Sequence, residues 1–232
     1  MLNKKRKAFT LAEVLITLGI IGVVAAMTIP TLIANTKSQQ YRSQFKKTLS
    51  TLNQAVRMSS EQQGFDFSSD ATSMGHVHEI FQKTLTGYTL TPARMELEVP
   101  GCQYEMNCYR PDFATHDASI TDHAPTIVLS DGSFLVISRG NAAGCTKPIG
   151  QTLAEFMEAN PFCVGYIDVN GYLTGPNKEV TCTEGTTSKD VTVPCVVKNN
   201  ATNMTDIFPV AFYDQTMVPA SNAAQYVLNS TK

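Results

Sequence analysis

The sequence predicts an α+β fold in which one long N-terminal helix packs on an antiparallel β-sheet. Helical signals come first: an uncharged, mostly apolar run from Val14 to Thr36 is followed by apolar residues at helical spacing as far as Val56. Strand signals come later, as β-rich runs joined by Asp-Gly and Asn-Gly dipeptides. A helix followed by hairpins is typical of an α+β domain whose sheet covers one face of that helix.

Composition and charge argue against several functional classes. The chain has 232 residues, of which 43% are hydrophobic and 16% charged, so it can bury its own core and is too apolar to be disordered. Four of its 18 basic residues lie at positions 4–7, and the other 14 are outnumbered by 20 acidic residues, a net charge of −6. This acidic body lacks the basic footprint of a nucleic-acid-binding protein. No phosphate-binding loop, dinucleotide fingerprint or serine elbow points to an enzyme.

The N-terminus has the pattern of a membrane or export signal. The 23 uncharged residues from Val14 to Thr36 can span the roughly 30 Å hydrocarbon layer as a helix, and the basic cluster predicts a cytoplasmic N-terminus. A secretory signal peptide cleaved near residues 24–26 and an uncleaved anchor both fit this pattern. Neither explains Glu13, because an ionised carboxylate at membrane depth costs on the order of 2.5–3.5 kcal/mol and normally has a partner.

A motif in the same region is more specific. Residues 7–24 read KAFTLAEVLITLGIIGVV and resemble the class III signal of type IV prepilins and type II secretion pseudopilins. The residues that match this family pattern are Phe9, Thr10, Leu11 and Glu13, and Pro30 falls where the family commonly has a helix-kinking proline. Ala8 departs from the pattern, because the family usually has glycine there.

The resemblance implies a processing step and a set of partners. A membrane-embedded prepilin peptidase would cut between Ala8 and Phe9, and Phe9 would be N-methylated. The implied partners are other pilin or pseudopilin subunits through the N-terminal helix, an inner-membrane assembly platform, and the lipid bilayer before assembly. Cleavage exposes a largely cationic α-amino group, which Glu13 of a neighbouring subunit can neutralise. On physical grounds alone, Glu13 could instead lie at the lipid headgroups.

The predicted helix continues beyond the apolar run. One stripe is formed by Tyr41, Phe45, Leu49, Leu52 and Val56, with Arg42, Lys46, Lys47 and Arg57 expected on the wet face. Gly64 is the expected C-terminal stop, and Pro30 is expected to kink or loosen the helix. The predicted organisation is a leader at 1–8, a transmembrane and assembly helix at 9–33, its amphipathic continuation at 34–60, and an extracytoplasmic head at 61–232.

The head is predicted to contain a short helix and two hairpins. The helix lies within residues 76–85, and the hairpins are 126–138, around Asp131-Gly132, and 163–175, around Asn170-Gly171. A last β-like run at 207–213 contains Pro209, which favours an edge or a strand start. Residues from about 178 to 205 form a polar, threonine-rich insertion, predicted to be a stapled surface loop.

Six cysteines, all beyond residue 100, indicate disulfides in an oxidising compartment. Six cysteines allow 15 connectivities. Closure of the shortest loops favours Cys102–Cys108 and Cys182–Cys195, which leaves Cys145–Cys163.

No cofactor or metal is expected. Asp168, Asn170 and Gly171 look like the start of a calcium loop, but Gly171 falls too early for that template, and a type I′ turn is preferred. A zinc site could be assembled from His76, His78, Glu79, His116 and His123, but residues two apart do not share a helix face.

We therefore expect a structural subunit, a minor pilin or pseudopilin, which is a single-pass membrane protein before assembly and part of an extracellular filament afterwards. The alternative is a membrane-anchored or secreted binding module whose head recognises a surface, DNA or a secretion substrate. An enzyme carried on a signal anchor is a third interpretation.

Overall fold

The structure is a computed structural model that describes residues 9–64, 67–68, 81, 83–87, 89–91, 126–137, 144–171, 175–176, 178–200 and 203–230. A 53-residue helix, α1 (Leu11–Gln63), leads into the head, by which we mean the described residues from 67 onward. The head contains β1 (Thr89–Thr91), β2 (Thr126–Val128), β3 (Phe134–Ile137), α2 (Leu153–Ala159), β4 (Val164–Asp168), β5 (Glu184–Gly185), β6 (Cys195–Val196), β7 (Ile207–Tyr213), β8 (Thr216–Pro219) and α3 (Asn222–Asn229). The predicted α+β class is confirmed.

Both ends of α1 are defined by local chemistry. Thr10 caps the N-terminus, and Gly64 closes the helix with a left-handed φ of 67° while its N–H donates to Ser60 O at 2.9 Å. The predicted stop at Gly64 is therefore the observed one. Pro30 lies inside the helix, which continues through it without interruption.

Six strands form one antiparallel sheet in the order β1-β2-β3-β4-β7-β8. The first predicted hairpin is confirmed: β2 pairs with β3 across a turn in which Leu129 N–H donates to Ser133 O and Gly132 has a φ of 85°. Asp131 holds this turn, because its carboxylate accepts from the Ser133 amide and hydroxyl.

The second predicted hairpin is wrong. Strand β4 pairs with β7 from Val164 to Asp168 and with β3 from Gly165 to Asp168, so both of its edges are already occupied and no third strand can pair with it there. The turn is not type I′ either, because Gly171 has a positive φ (80°) and Asn170 does not. Burial explains the difference. Six of the seven residues of β7 are buried, and this apolar strand occupies the edge of β4 that the predicted hairpin would have used.

Pro209 lies in an interior strand rather than at the predicted edge. Strand β8 pairs with β7 only from Val210 to Tyr213, so Pro209 lies just beyond the last residue pair of this ladder. Ala220 N–H donates to Pro209 O, and a strand residue directs its N–H and C=O to the same side. At position 209 a backbone N–H would therefore point past the last residue of β8, where no hydrogen bond of the ladder needs it. Proline is tolerated there for this reason.

The core lies between α1 and the sheet. Phe45 stacks on Phe208 with 4.2 Å between ring centroids, and both side chains are fully buried. Nearer the C-terminal end of α1, the Asn53 side chain donates to Met217 O and accepts from Met217 N, both at 2.8 Å. The predicted apolar stripe of α1 is buried along its whole length.

Two other predicted elements are described in part. Of the helix expected within 76–85, Phe81, Lys83 and Thr84 are helical, and its first five residues lie outside the described residues. The insertion contains a two-stranded sheet of β5 and β6, and its first residues pair with β7 through a parallel bridge between Glu179 and Ile207. It is thus partly built into the fold rather than a simple surface loop.

Candidate functional site

The start of α1 is a capping box made by Thr10 and Glu13. The Glu13 amide donates to Thr10 Oγ1 at 3.3 Å, while Glu13 Oε2 accepts from the Thr10 amide at 2.8 Å and from its hydroxyl at 2.9 Å. These bonds satisfy backbone donors that a helix N-terminus otherwise leaves unpaired. Phe9, the residue that the motif places at the new N-terminus, directly precedes this cap and is 86% exposed.

This capping role of Glu13 is absent from the sequence prediction, which considered the carboxylate only as a counter-ion or a headgroup contact. The signal was present, because Thr10-Leu11-Ala12-Glu13 has the spacing of a capping box before an apolar run. The two roles differ chemically. A cap needs only a hydrogen-bond acceptor at residue 13, whereas a counter-ion needs its charge. Ala8 lies outside the described residues.

The first half of α1 is an apolar surface that the chain itself leaves uncovered. By length and composition this helix could cross a membrane, and none of its most apolar stretch is buried in the chain's own fold. The large apolar side chains that it exposes between residues 9 and 33 are Phe9, Leu11, Val14, Leu15, Ile16, Leu18, Ile20, Ile21, Val23, Val24, Met27, Ile29, Leu32 and Ile33. This helix and its motif indicate membrane anchoring.

Two features of this segment suit an apolar environment. The hydroxyls of Thr17, Thr28 and Thr36 each donate to a carbonyl four residues earlier, at 2.9–3.0 Å, so they need no water. A Cβ added at Gly19 or Gly22 would meet nothing within 4 Å. The chain's own packing therefore does not require these glycines, and both leave room for close approach of another helix.

The head begins to cover α1 at Ser38, which is 2% exposed. At this level Asn170 Nδ2 donates to the Tyr41 hydroxyl at 3.2 Å, and Arg42 donates to Val197 O at 2.7 Å. The expectation that Arg42 lies on the wet face is wrong, because the residues after β6 cover it and leave it 6% exposed. The carbonyl of Val197 gives this buried guanidinium a polar partner.

Two buried carboxylates lie at the C-terminal end of β4 and directly before β7. Asp168 and Asp206 are 4% and 0% exposed. Asp168 Oδ1 accepts from the amides of Asn170 and Gly171 at 3.1 and 3.2 Å, and Asp206 Oδ1 accepts from the Lys178 amide at 2.7 Å. Burial raises the pKa of Asp168 to about 7; the nearby Asp206 carboxylate adds to this shift and the two amides oppose it.

Asp168 should make the stability of the head depend on pH. Because folding raises the pKa of Asp168 from 3.8 to about 7, the folded protein binds the proton more tightly than the unfolded chain. The free energy of unfolding therefore falls as the pH rises from about 4 to about 7, by an amount on the order of 2–4 kcal/mol. Asp168→Asn, which cannot ionise, should remove this fall.

Urea unfolding of the full chain in detergent at about pH 4.5 and pH 8 measures the difference. Asp190→Asn is the control, because Asp190 is an exposed carboxylate that accepts bonds from Thr192 in a turn of its own. We expect Asp190→Asn to lose stability with rising pH as the native chain does. If Asp168→Asn also loses it to the same extent, the buried Asp168 proton is not the cause.

Two disulfides are present in the described residues. Cys145 is bonded to Cys163 and Cys182 to Cys195, with Cα–Cα distances of 5.8 and 5.5 Å. Cys182–Cys195 is a pair that loop closure favoured, and Cys145–Cys163 is the pair that this choice left over. Cys102 and Cys108 lie outside the described residues, so their pairing stays a prediction.

A buried asparagine, missed in the sequence, holds the insertion to α3. Asn222 is 2% exposed, and its side chain donates to Thr186 O and Val193 O and accepts from the Ser188 amide. The Cys182–Cys195 disulfide closes the same segment. No local pattern in the sequence indicates this contact, because the partners lie 29–36 residues from Asn222.

Nothing in the described part of the chain assembles a metal centre. Asp168 uses its carboxylate to hold the turn at Asn170-Gly171, and no group of three or more His, Cys, Asp or Glu there could hold a metal ion. The candidate zinc residues at 76, 78, 79, 116 and 123 lie outside the described residues.

Comparison with known proteins gives one finding. Residues 3–29 match the family described as the Prokaryotic N-terminal methylation motif. No curated protein and no solved structure matches the chain. The match covers most of the leader, the capping box and most of the apolar run, so the resemblance identified from Phe9 to Glu13 is confirmed. The chain therefore carries the cleavage and methylation signal of type IV pilins and pseudopilins.

Proposed function

We propose that the chain is a filament subunit, a minor pilin or pseudopilin of a type IV pilus-like or type II secretion filament. The observation that carries this proposal is the methylation motif at 3–29, joined to a helix whose apolar half the chain leaves uncovered. Apolar area of this extent needs lipid or other helices. In a filament subunit, lipid covers this apolar surface while the subunit is in the membrane, and the helices of other subunits cover it after assembly.

In this account the leader stays in the cytoplasm and the head lies on the other side of the membrane. The basic residues at positions 4–7 support that orientation. The disulfides Cys145–Cys163 and Cys182–Cys195 suit an oxidising compartment. The parts assigned to leader, membrane helix, amphipathic helix and head are 1–8, 9–33, 34–60 and 61–232.

Assembly would join the exposed apolar halves of several copies. Gly19 and Gly22 allow close helix approach, and Pro30, which cannot donate a backbone hydrogen bond, weakens the helix in the same half. Cleavage after Ala8 would expose the amine of Phe9, one residue before the cap. Glu13 of a neighbouring copy is then the counter-ion that would set the axial register.

A second function has one observation in its favour. The insertion is stapled by Cys182–Cys195, held by Asn222, and exposes most of the segment from Thr183 to Pro194. The segment between the two cysteines is therefore ordered although most of it faces solvent. A minor subunit whose head binds a surface, DNA or a secretion substrate would have a use for it.

Processing tests the proposal. Co-expression with a prepilin peptidase should shorten the chain by the eight residues before Phe9, seen as a mobility shift on a blot against a C-terminal tag. Ala8→Phe should block the shift, because the position before the cut carries a small residue in this motif, whereas Ala8→Gly should be cut at least as well as the native chain.

Cleavage near residues 24–26 in cells that lack the peptidase would overturn the proposal, because an ordinary secreted protein would result. Cleavage that Ala8→Phe leaves unchanged would overturn it as well.

A further inference from the structure

The head lies very close to the apolar run of α1. The uncharged stretch from Val14 to Thr36 is about 34 Å long at 1.5 Å per residue, close to the roughly 30 Å hydrocarbon layer. Lys37 follows it at once and is exposed, and Ser38 is already covered by the head. Almost no free helix separates the head from the end of the predicted span.

Three parts of the chain form the base of the head, which we define as the turn from Asp168 to Gly171, Lys178 and the residues from Val196 to Asn200. The contacts of Asn170 with Tyr41 and of Val197 with Arg42 place the turn and the Val196–Asn200 segment about 8–9 Å beyond Thr36 along α1. Lys178 joins them through Asp206, which bonds to the Lys178 backbone and accepts from the Val169 amide. The polar headgroup layer is about 5–8 Å thick on each side of the bilayer. The base therefore lies at the outer limit of the headgroups.

The charges at this level have a definite arrangement. Lys37, Lys178 and Lys198 are exposed, and Lys198 shares its charge in an ion pair with Glu184. The carboxylates of Asp168 and Asp206 are buried beneath the turn and accept backbone amides, so they are not presented to the bilayer. Lys37 and Lys178 are then the cations best placed to reach lipid phosphate.

The rest of the head has the opposite character. Outside the base, residues 64–232 hold 17 acidic and 7 basic side chains, so an anionic membrane repels this part of the head. A cationic base on an acidic head favours one orientation, with the base toward the bilayer and the remainder away from it.

We propose that, before assembly, the base of the head rests on the bilayer and binds anionic phospholipid headgroups through Lys37 and Lys178. This inference rests on the membrane anchoring in the proposed function. The contact holds the subunit upright over its own membrane helix. It is lost when the subunit leaves the bilayer for a filament, so anionic lipid favours the stored form.

Hydrogen exchange of the full chain in nanodiscs tests the proposal. We expect the peptides that cover residues 163–171 and 195–200 to exchange more slowly in discs that contain phosphatidylglycerol than in discs of phosphatidylcholine alone. High salt should abolish the difference. Lys178→Gln should reduce the difference about fivefold, the loss expected for one lysine near an anionic surface.

Lys147→Gln is the matched control, because Lys147 lies 5.9 Å from the Tyr213 ring, at the end of β7 opposite to the base. Equal exchange in both lipids, or equal effects of the two substitutions, would overturn the proposal. Protection that grows with the number of copies per disc, in either lipid, would also overturn it in favour of a contact between proteins.

Flotation with lipid vesicles at high salt separates this inference from the proposed function. A chain that floats but shows no effect of phosphatidylglycerol refutes the contact at the base alone. A chain that does not float refutes membrane anchoring, and the base contact with it.

Discussion

Glu13→Gln should leave the start of α1 folded while lowering the incorporation of subunits into filaments at least tenfold. Glutamine serves as well as glutamate at the third helical position of a capping box, so the bonds with Thr10 can persist. What the substitution removes is the charge that would neutralise the Phe9 amine of a neighbour at low dielectric. Leaving that amine without a counter-ion inside a helix bundle costs several kcal/mol. A tenfold loss of incorporation corresponds to only about 1.4 kcal/mol, so it is a lower limit on the expected effect.

The measurement is the ratio of variant to native subunits in filaments sheared from cells that express both, relative to their ratio in the membrane. Glu13→Ala is the comparison, because it removes the charge and also the two hydrogen bonds that Glu13 Oε2 accepts from Thr10, while the bond from the residue-13 amide to Thr10 Oγ1 can remain. Equal incorporation of Glu13→Gln and native subunits would contradict the pairing and leave Glu13 as a helix cap alone.

Phe45→Ala should have the largest effect on the stability of the head, a loss of about 3–5 kcal/mol in the free energy of unfolding. Phe45 is fully buried and stacks on Phe208 at 4.2 Å, so alanine would leave a cavity between α1 and β7. Membrane insertion should not change, because residue 45 lies outside the apolar run. Denaturation of the full chain in detergent, followed by near-ultraviolet circular dichroism, measures this loss.

Met58→Ala is the control on the same helix, because Met58 is 45% exposed. It should change the free energy of unfolding by no more than about 0.5 kcal/mol. Similar losses for the two variants would mean that α1 and β7 do not form the core of the head.

The parts of the fold that could be predicted are those whose signals are local. Helix α1 follows from the spacing of its apolar residues and from Gly64, and the β2–β3 hairpin follows from Asp131-Gly132. The second hairpin could not be predicted from Asn170-Gly171, because a turn sequence does not determine which strand takes the free edge. That choice depends on buried area, and β7 lies more than 30 residues further along the chain.

The site divides in the same way. Phe9 and Glu13 are recognisable because the motif is contiguous, and the cap at Thr10 is visible in the same four residues. The burial of Arg42 and the apposition of Asp168 with Asp206 are not, because each depends on a segment brought from far away in the sequence. A helical stripe predicts which side of α1 faces the sheet, but it does not predict what an insertion covers.

The mass of the mature N-terminal peptide shows whether the chain is processed as a filament subunit. The protein should be isolated from cells that contain the prepilin peptidase and digested without prior selection of any N-terminus. We expect a peptide that begins at Phe9 and carries one methyl group in place of a hydrogen on its α-amine. A peptide that begins at Met1, or at a residue close to Met27, would contradict this expectation.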